Sequence, residues 1–153
     1  MRQPYDNLLL LLERGHRHFL EVIKADLDRW GIQDINNVQA LVLYNIAHDE
    51  MTIGELTERG YYLGSNVSYN VKKMFDNGYL QQERSIHDRR SVRVKLSEKG
   101  LALHARLNES LDRHVKALEV RGITAAVLTS ALDTLRKLER FWTDQADGPR
   151  VKP

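Results

Sequence analysis

Two cationic pairs, Lys72–Lys73 and Arg89–Arg90, stand in the middle of the chain, and a run of short polar side chains precedes the first. Placed on a helix at about 100° per residue, Val67, Val71, Met74 and Phe75 share one stripe. The opposite face carries Ser65, Ser68, Tyr69, Lys72 and Lys73, with Asp76 toward its far end and the Asn66 amide near its start. Hydroxyls and amides can reach base edges in a duplex groove, while lysines meet phosphate. On an isolated helix the same face would be ordinary solvated surface. A basic hairpin beside it changes that weighting. Asp88, Arg89 and Arg90 lie in the polar connection 85–90, and guanidinium groups suit a narrow minor groove, where the negative potential is enhanced. Asp88 would hold Arg90 extended; the competing interpretation is a surface turn with an ion pair, worth little in stability.

The charge distribution agrees with a polyanion-binding middle. Residues 1–60 hold 6 Lys/Arg against 10 Asp/Glu, while residues 61–95 hold 7 (Lys72, Lys73, Arg84, Arg89, Arg90, Arg93, Lys95) against 3. Residues 96–153 hold 10 against 8. The overall net charge of +2 hides this segregation.

Other chemistries find little support. The chain has no cysteine, which excludes disulfides, thiolate–metal sites and thiol redox switches. His16 and His18 are two apart and point to nearly opposite sides of a helix. His104 and His114 lack a histidine or carboxylate four residues on, and there is no His-Glu-x-x-His, so no metal site is expected. No glycine-rich phosphate loop, Gly-x-Ser-x-Gly elbow or framed carboxylate pair is present, so neither catalytic residues nor a cofactor are expected. The apolar run Leu8–Leu12 is too short to span a membrane and no small-residue cleavage site follows it, which points to the cytoplasm.

The elements that must position the basic groups follow from periodicity and caps. A first helix over Tyr5–Trp30 ends at Gly31. A second begins at an Asn36–Gln39 capping box and turns Val38, Leu41, Val42 and Ile46 inward, stopping near His48–Asp49. Thr52 and Glu55 form a further box that opens a short helix to about Glu58, and another helix runs over Ser65–Asn77 to Gly78. The period then drops to 2: Tyr79–Arg84 and Ser91–Leu96 predict a hairpin. Ser97 caps a long helix ending at Gly122, and Thr124 caps a last one carrying Leu128, Leu132, Leu135, Leu138, Phe141 and Trp142. A lone hairpin needs a helical layer beneath it. The order predicts a mainly α (α+β) fold, a winged helix-turn-helix with a two-stranded wing hairpin between terminal helices. The polar tail from Asp144 is expected to fray.

The run Leu63–Leu80 resembles the recognition helix of the MarR-type (multiple-antibiotic-resistance) regulators, and Asp88-Arg89-Arg90-Ser91 followed by Leu96-Ser97-Glu98-Lys99-Gly100 resembles that family's wing and the start of its fifth helix. Tyr69 stands where many members carry a basic residue, so base contacts do not transfer there. Tyr61–Met74 is also similar to the LdtR-like branch, associated with control of cell-wall cross-linking genes. The resemblance implies a homodimer gripping a pseudo-palindromic double-stranded DNA operator. On that basis 1–34 and 99–143 would dimerise, 35–98 would bind DNA through Ser65, Asn66, Ser68, Tyr69, Lys72, Lys73, Arg84, Asp88, Arg89 and Arg90, and 144–153 would form the tail. Leu8, Leu9, Leu12, Leu135, Leu138, Phe141 and Trp142 are the interface candidates, since the terminal segments carry more apolar surface than one small domain hides. The resemblance also implies a small aromatic or phenolic effector, for which His16, Phe19, Tyr44 and His48 are candidates, although core or surface packing also accounts for them. A winged helix that binds proteins instead of DNA is the alternative; the Lys72/Lys73/Arg89/Arg90 cluster argues against it.

Overall fold

The computed structural model describes residues 1–58, 67–84, 92–146 and 148. Their order is α1 (Arg2–Arg29), α2 (Asn37–Ile46), β1 (Met51–Thr52), α3 (Ile53–Glu58), α4 (Val67–Asp76), β2 (Leu80–Arg84), β3 (Val92–Leu96), α5 (Glu98–Val120) and α6 (Ala125–Ala146). They fall into two units, residues 1–110 and 111–153.

Local signals account for most helix boundaries. Asn36 Oδ1 accepts from the Gln39 amide at 2.8 Å, while the Asn36 amide donates to Gln39 Oε1 at 3.2 Å, closing the capping box of α2. Thr52 and Glu55 do the same for α3, at 3.1 and 2.7 Å. α4 stops at Gly78, whose φ of +79° suits a residue without Cβ. There the Gly78 amide donates to the Phe75 carbonyl and the Tyr79 amide to the Met74 carbonyl, both at 2.9 Å. α2 departs from its expected end: it stops at Ile46, with Ala47 at φ 51°, two residues before His48–Asp49. α6 continues to Ala146, past the predicted fraying point at Asp144.

The sheet has three strands in the order β1-β3-β2, all antiparallel. β2 and β3 are the predicted hairpin, with Gln82 opposite Val94 and Arg84 opposite Val92. β1 adds a third strand through Met51 opposite Val94 and Thr52 opposite Arg93. Two residues cannot show a period of 2, so no sequence pattern announced it.

In the first unit a continuous core joins Ile23 and Leu27 of α1, Ala40, Val42, Leu43 and Ile46 of α2, and Leu56 of α3 to Val71 and Met74 of α4, Val94 and Leu96 of β3, and Leu103 and Leu107 of α5. The buried stripe of α2 is rotated from expectation. Ala40 and Leu43 are fully buried, whereas Val38 and Leu41 are only half-buried. Within that core Asp26 of α1 is also fully buried. Its Oδ2 accepts from Ser110 Oγ of α5 at 2.5 Å, and Arg29 pairs with Oδ1 without hydrogen-bond geometry.

Gly100 shows why the first turn of α5 fits under the hairpin. A Cβ there would lie 2.3 Å from the Tyr79 carbonyl oxygen and 3.2 Å from Leu96 Cβ. Ser97 fixes this close approach: its hydroxyl donates to the Gly78 carbonyl at 2.5 Å and accepts from the Gly100 amide at 3.1 Å.

Candidate nucleic-acid interface

Val71 and Met74 anchor α4 in the core, and Phe75 packs partly against it, so the opposite face of the helix is forced outward. Ser68, Tyr69, Lys72 and Lys73 are all exposed, Tyr69 by 62%. Asn70 is half-buried and accepts from Gln39 Nε2 at 3.0 Å, which locks the rotation of α4 against α2. That contact adds to the core anchoring of Val71 and Met74 in fixing which side chains face out.

The cations of this segment are not equivalent. Lys72 Nζ lies 2.7 Å from Asp76 Oδ2, one helical turn on. Lys95 Nζ is shared between Glu83 at 3.1 Å and Glu50 at 3.8 Å. The Lys95 hydrogen bond, then that with Glu50, then the Lys95 charge hold the Glu83 carboxyl below its ordinary range. Among the described residues no carboxylate pairs with Lys73, Arg84 or Arg93. Arg93, exposed on β3, was not among the candidates (the alternation of Ser91–Leu96 placed it on the outer face), and the paired Lys95 is the weaker of the two for an external anion. Ser65, Asn66, Asp88, Arg89 and Arg90 lie outside the described residues.

A hydrogen-bonded hub holds the C-terminal end of α4. The Asp34 carboxylate accepts from the Tyr79 hydroxyl at 2.5 Å through Oδ1 and from Lys99 Nζ at 2.5 Å through Oδ2. The Asp34 main-chain carbonyl accepts from Asn77 Nδ2 at 2.6 Å, and Lys99 also donates to the Asn77 carbonyl at 2.8 Å. Lys99 Nζ lies 4.3 Å from the Tyr79 ring centroid as well. Burial pushes the Asp34 carboxyl upward, but hydrogen bonds from Lys99 and Tyr79, with the Lys99 charge, outweigh it and hold the group below its ordinary value. Burial, then the bond to Asp34 and its negative charge, push the Tyr79 phenol upward, so it remains a donor. Sequence reasoning missed this hub because its hydrogen-bonded partners are 22 to 65 residues apart.

The effector candidates separate. Tyr44 stacks on His104, with ring centroids 5.3 Å apart, and His48 meets the same ring edge-on at 5.5 Å. His104 is buried and its Nδ1 lies 3.2 Å from Asn108 Nδ2. Burial, then His48, hold the His104 imidazole below its ordinary value, against the Tyr44 main chain. His104 therefore has an aromatic setting that i+4 arithmetic could not show. Phe19 packs against the core, and His16 is half-buried on α1. Among the described residues no group of three His, Asp or Glu could hold a metal, and no helix is long and apolar enough to cross a membrane.

The interface candidates differ in exposure. In the first unit Leu9 is 39% exposed, and Leu8 and Leu12 are half-buried. In the second unit α6 has no buried residue: Phe141 is exposed, and Leu135, Leu138 and Trp142 are half-buried.

Comparison with known proteins places this geometry. The winged helix DNA-binding domain family matches residues 35–100. The exopolysaccharide II synthesis transcriptional activator ExpG of Rhizobium meliloti (strain 1021) is 38% identical over 142 residues, covering 93% of this chain and 73% of that protein. Streptococcus pneumoniae FabT, solved in complex with DNA, matches with a TM-score of 0.71 at 20% identity, over 92% of this chain and 99% of that one. Staphylococcus aureus MarR, solved in complex with salicylate and kanamycin, matches with a TM-score of 0.71 at 19% identity, over 93% and 92% of the two chains. Fold and relatives together define a winged-helix DNA-binding transcription regulator, a class that performs no enzymatic reaction. The chain belongs to the MarR family.

Proposed function

We propose that the chain works in the cytoplasm as a homodimer that reads a pseudo-palindromic operator and responds to a small aromatic or phenolic effector. The observation that carries the operator contact is the outward face of α4, where Ser68, Tyr69 and Lys73, with no carboxylate partner among the described residues, stand exposed opposite the buried Val71 and Met74. Ser65 and Asn66 would extend that face into the major groove. Arg84 and the segment Asp88-Arg89-Arg90 would address the backbone and minor groove alongside. Residues 35–98 would thus bind DNA, while 1–34 and 99–143 would form the dimer.

Dimerisation is favoured by exposed apolar surface at both ends of the chain. Leu10 and Leu11 of α1 are 58% and 57% exposed, and Leu132 and Phe141 of α6 are 48% and 52% exposed. Such clusters mark association surfaces in water-facing helices. Two-fold symmetry would set half-site centres about 10 base pairs apart. For the effector, Tyr44 and His48 with His104 supply an aromatic wall suited to a flat ring. His16 and Phe19 on α1 are the other candidates.

The test combines light scattering with duplex titration. A dimer that binds the chain's own upstream region supports the proposal; a monomer with no duplex binding at low ionic strength refutes it. Arg90→Ala should weaken operator binding by ~1–3 kcal/mol and leave the dimer intact. Wild-type affinity in that variant would remove the wing from the interface.

A further inference from the structure

Core packing alone leaves the roll of α4 about its own axis loosely set. Val71 and Met74 hold the helix in the core, but apolar contact is non-directional and resists a small roll weakly. A roll of about 10° carries side-chain tips about 6 Å from the axis through about 1 Å. A hydrogen bond to a base edge does not survive that shift, whereas a lysine on its flexible stem still reaches phosphate. The group that opposes the roll is Gln39, buried at the third position of α2. Both ends of its amide are engaged. Oε1 accepts from the Asn36 amide at 3.2 Å, inside the capping box, and Nε2 donates to Asn70 Oδ1 at 3.0 Å. With the acceptor end fixed by the start of α2, the donor end has a fixed place too. Asn70 lies about 40° around α4 from Met74 and about 100° from Tyr69, at the margin of the buried stripe, where a roll moves it toward or away from α2.

We infer that Gln39 is a positioning residue for operator selectivity: it touches no base, and through Asn70 it sets the roll of α4 and so the sequence that the helix accepts. This role presupposes the operator function proposed above. Contacts to phosphate carry the affinity for any duplex and tolerate the roll, while contacts to base edges carry the choice of sequence and do not. Loss of the Gln39–Asn70 bond therefore lowers selectivity and spares the electrostatic part of binding.

The experiment is fluorescence anisotropy on the full chain with two duplexes: the sequence that the wild type enriches from a random pool, and a scrambled duplex of the same length and composition. The ratio of the two affinities cancels any loss of folded protein, which weakens both alike. Asn70→Leu removes the acceptor and Gln39→Met the donor. Each should lower the ratio by about tenfold or more and leave the salt slope on the scrambled duplex unchanged. The double variant should lower the ratio no further than either alone, because the same bond is lost in all three. Urea unfolding supplies the contrast with a merely structural role. The double variant leaves no buried side-chain amide without a partner, so it should recover part of the stability that Asn70→Leu loses, while its ratio stays low. A ratio that recovers with stability, losses that multiply in the double variant, or a ratio unchanged by Gln39→Met would each overturn the role. A loss with Asn70→Leu alone would assign Asn70 to the duplex directly. A wild type that enriches no sequence would refute the operator function itself, and the role of Gln39 with it.

Discussion

Replacing Lys73 with alanine should flatten the salt dependence of duplex binding more than replacing Lys72. Lys73 is exposed and has no carboxylate partner among the described residues, so its ammonium can replace a condensed counterion without first breaking an ion pair. Lys72 must leave Asp76, 2.7 Å away, and Asp76 would itself approach the phosphates. Loss of one phosphate contact lowers the slope of log K against log[salt] by ~0.9, or ~1.8 for two subunits. Between 50 and 200 mM salt the gap between wild type and Lys73→Ala should therefore narrow by ~3.5-fold per subunit, or ~12-fold for a dimer. Asp76→Asn should do the reverse, tightening binding and steepening the slope, because it frees Lys72 and removes a like-charge repulsion from the duplex. Fluorescence anisotropy of a labelled duplex at four salt concentrations reads all three slopes. If the Lys73→Ala line ran parallel to wild type, Lys73 would not meet phosphate, and the outward face of α4 would lose its assigned role.

Three further outcomes test the scaffold. Ser110→Ala leaves the buried Asp26 carboxylate without its 2.5 Å hydrogen bond and should cost ~1–3 kcal/mol in urea unfolding; an unchanged midpoint would mean that Asp26 finds another donor. Gly100→Ala drives a methyl group into the Tyr79 carbonyl and should cost ~1–3 kcal/mol or more, with a matching fall in Tm. The buried His104 has a lowered pKa, so the unfolded chain takes up its proton first as the pH falls. Its contribution is intact above the unfolded value of about 6.5 and is lost between there and the lower folded value, so His104→Gln should show the shallower loss of stability on acidification. Parallel stability curves for the two proteins would place the titration elsewhere.

Much of the architecture was legible because its signals act within one or two turns of chain. The Asn36–Gln39 and Thr52–Glu55 boxes satisfy amides three residues apart, and Gly31, Gly78 and Gly122 stop helices through hydrogen bonds three and five residues long. The outward polar face of α4 was likewise readable, since a helical period fixes which residues lie opposite Val71 and Met74. Resemblance supplied the family, which neither charge nor spacing contains.

What remained belonged to contacts that only folding creates. Asp34 has no partner in its own neighbourhood and becomes a hub when α4, β2 and α5 bring Asn77, Tyr79 and Lys99 to it. Ser110 meets Asp26 across 84 residues, and His104 acquires Tyr44 from α2 and His48 from the turn that follows it. Even the availability of a lysine was decided this way, with Lys95 drawn between Glu50 and Glu83 from two other segments. Helix caps and periods are short-range steric and hydrogen-bonding facts and can be read along the chain. Ion pairs and buried polar contacts depend on which surfaces the core presses together, and no local pattern encodes that choice.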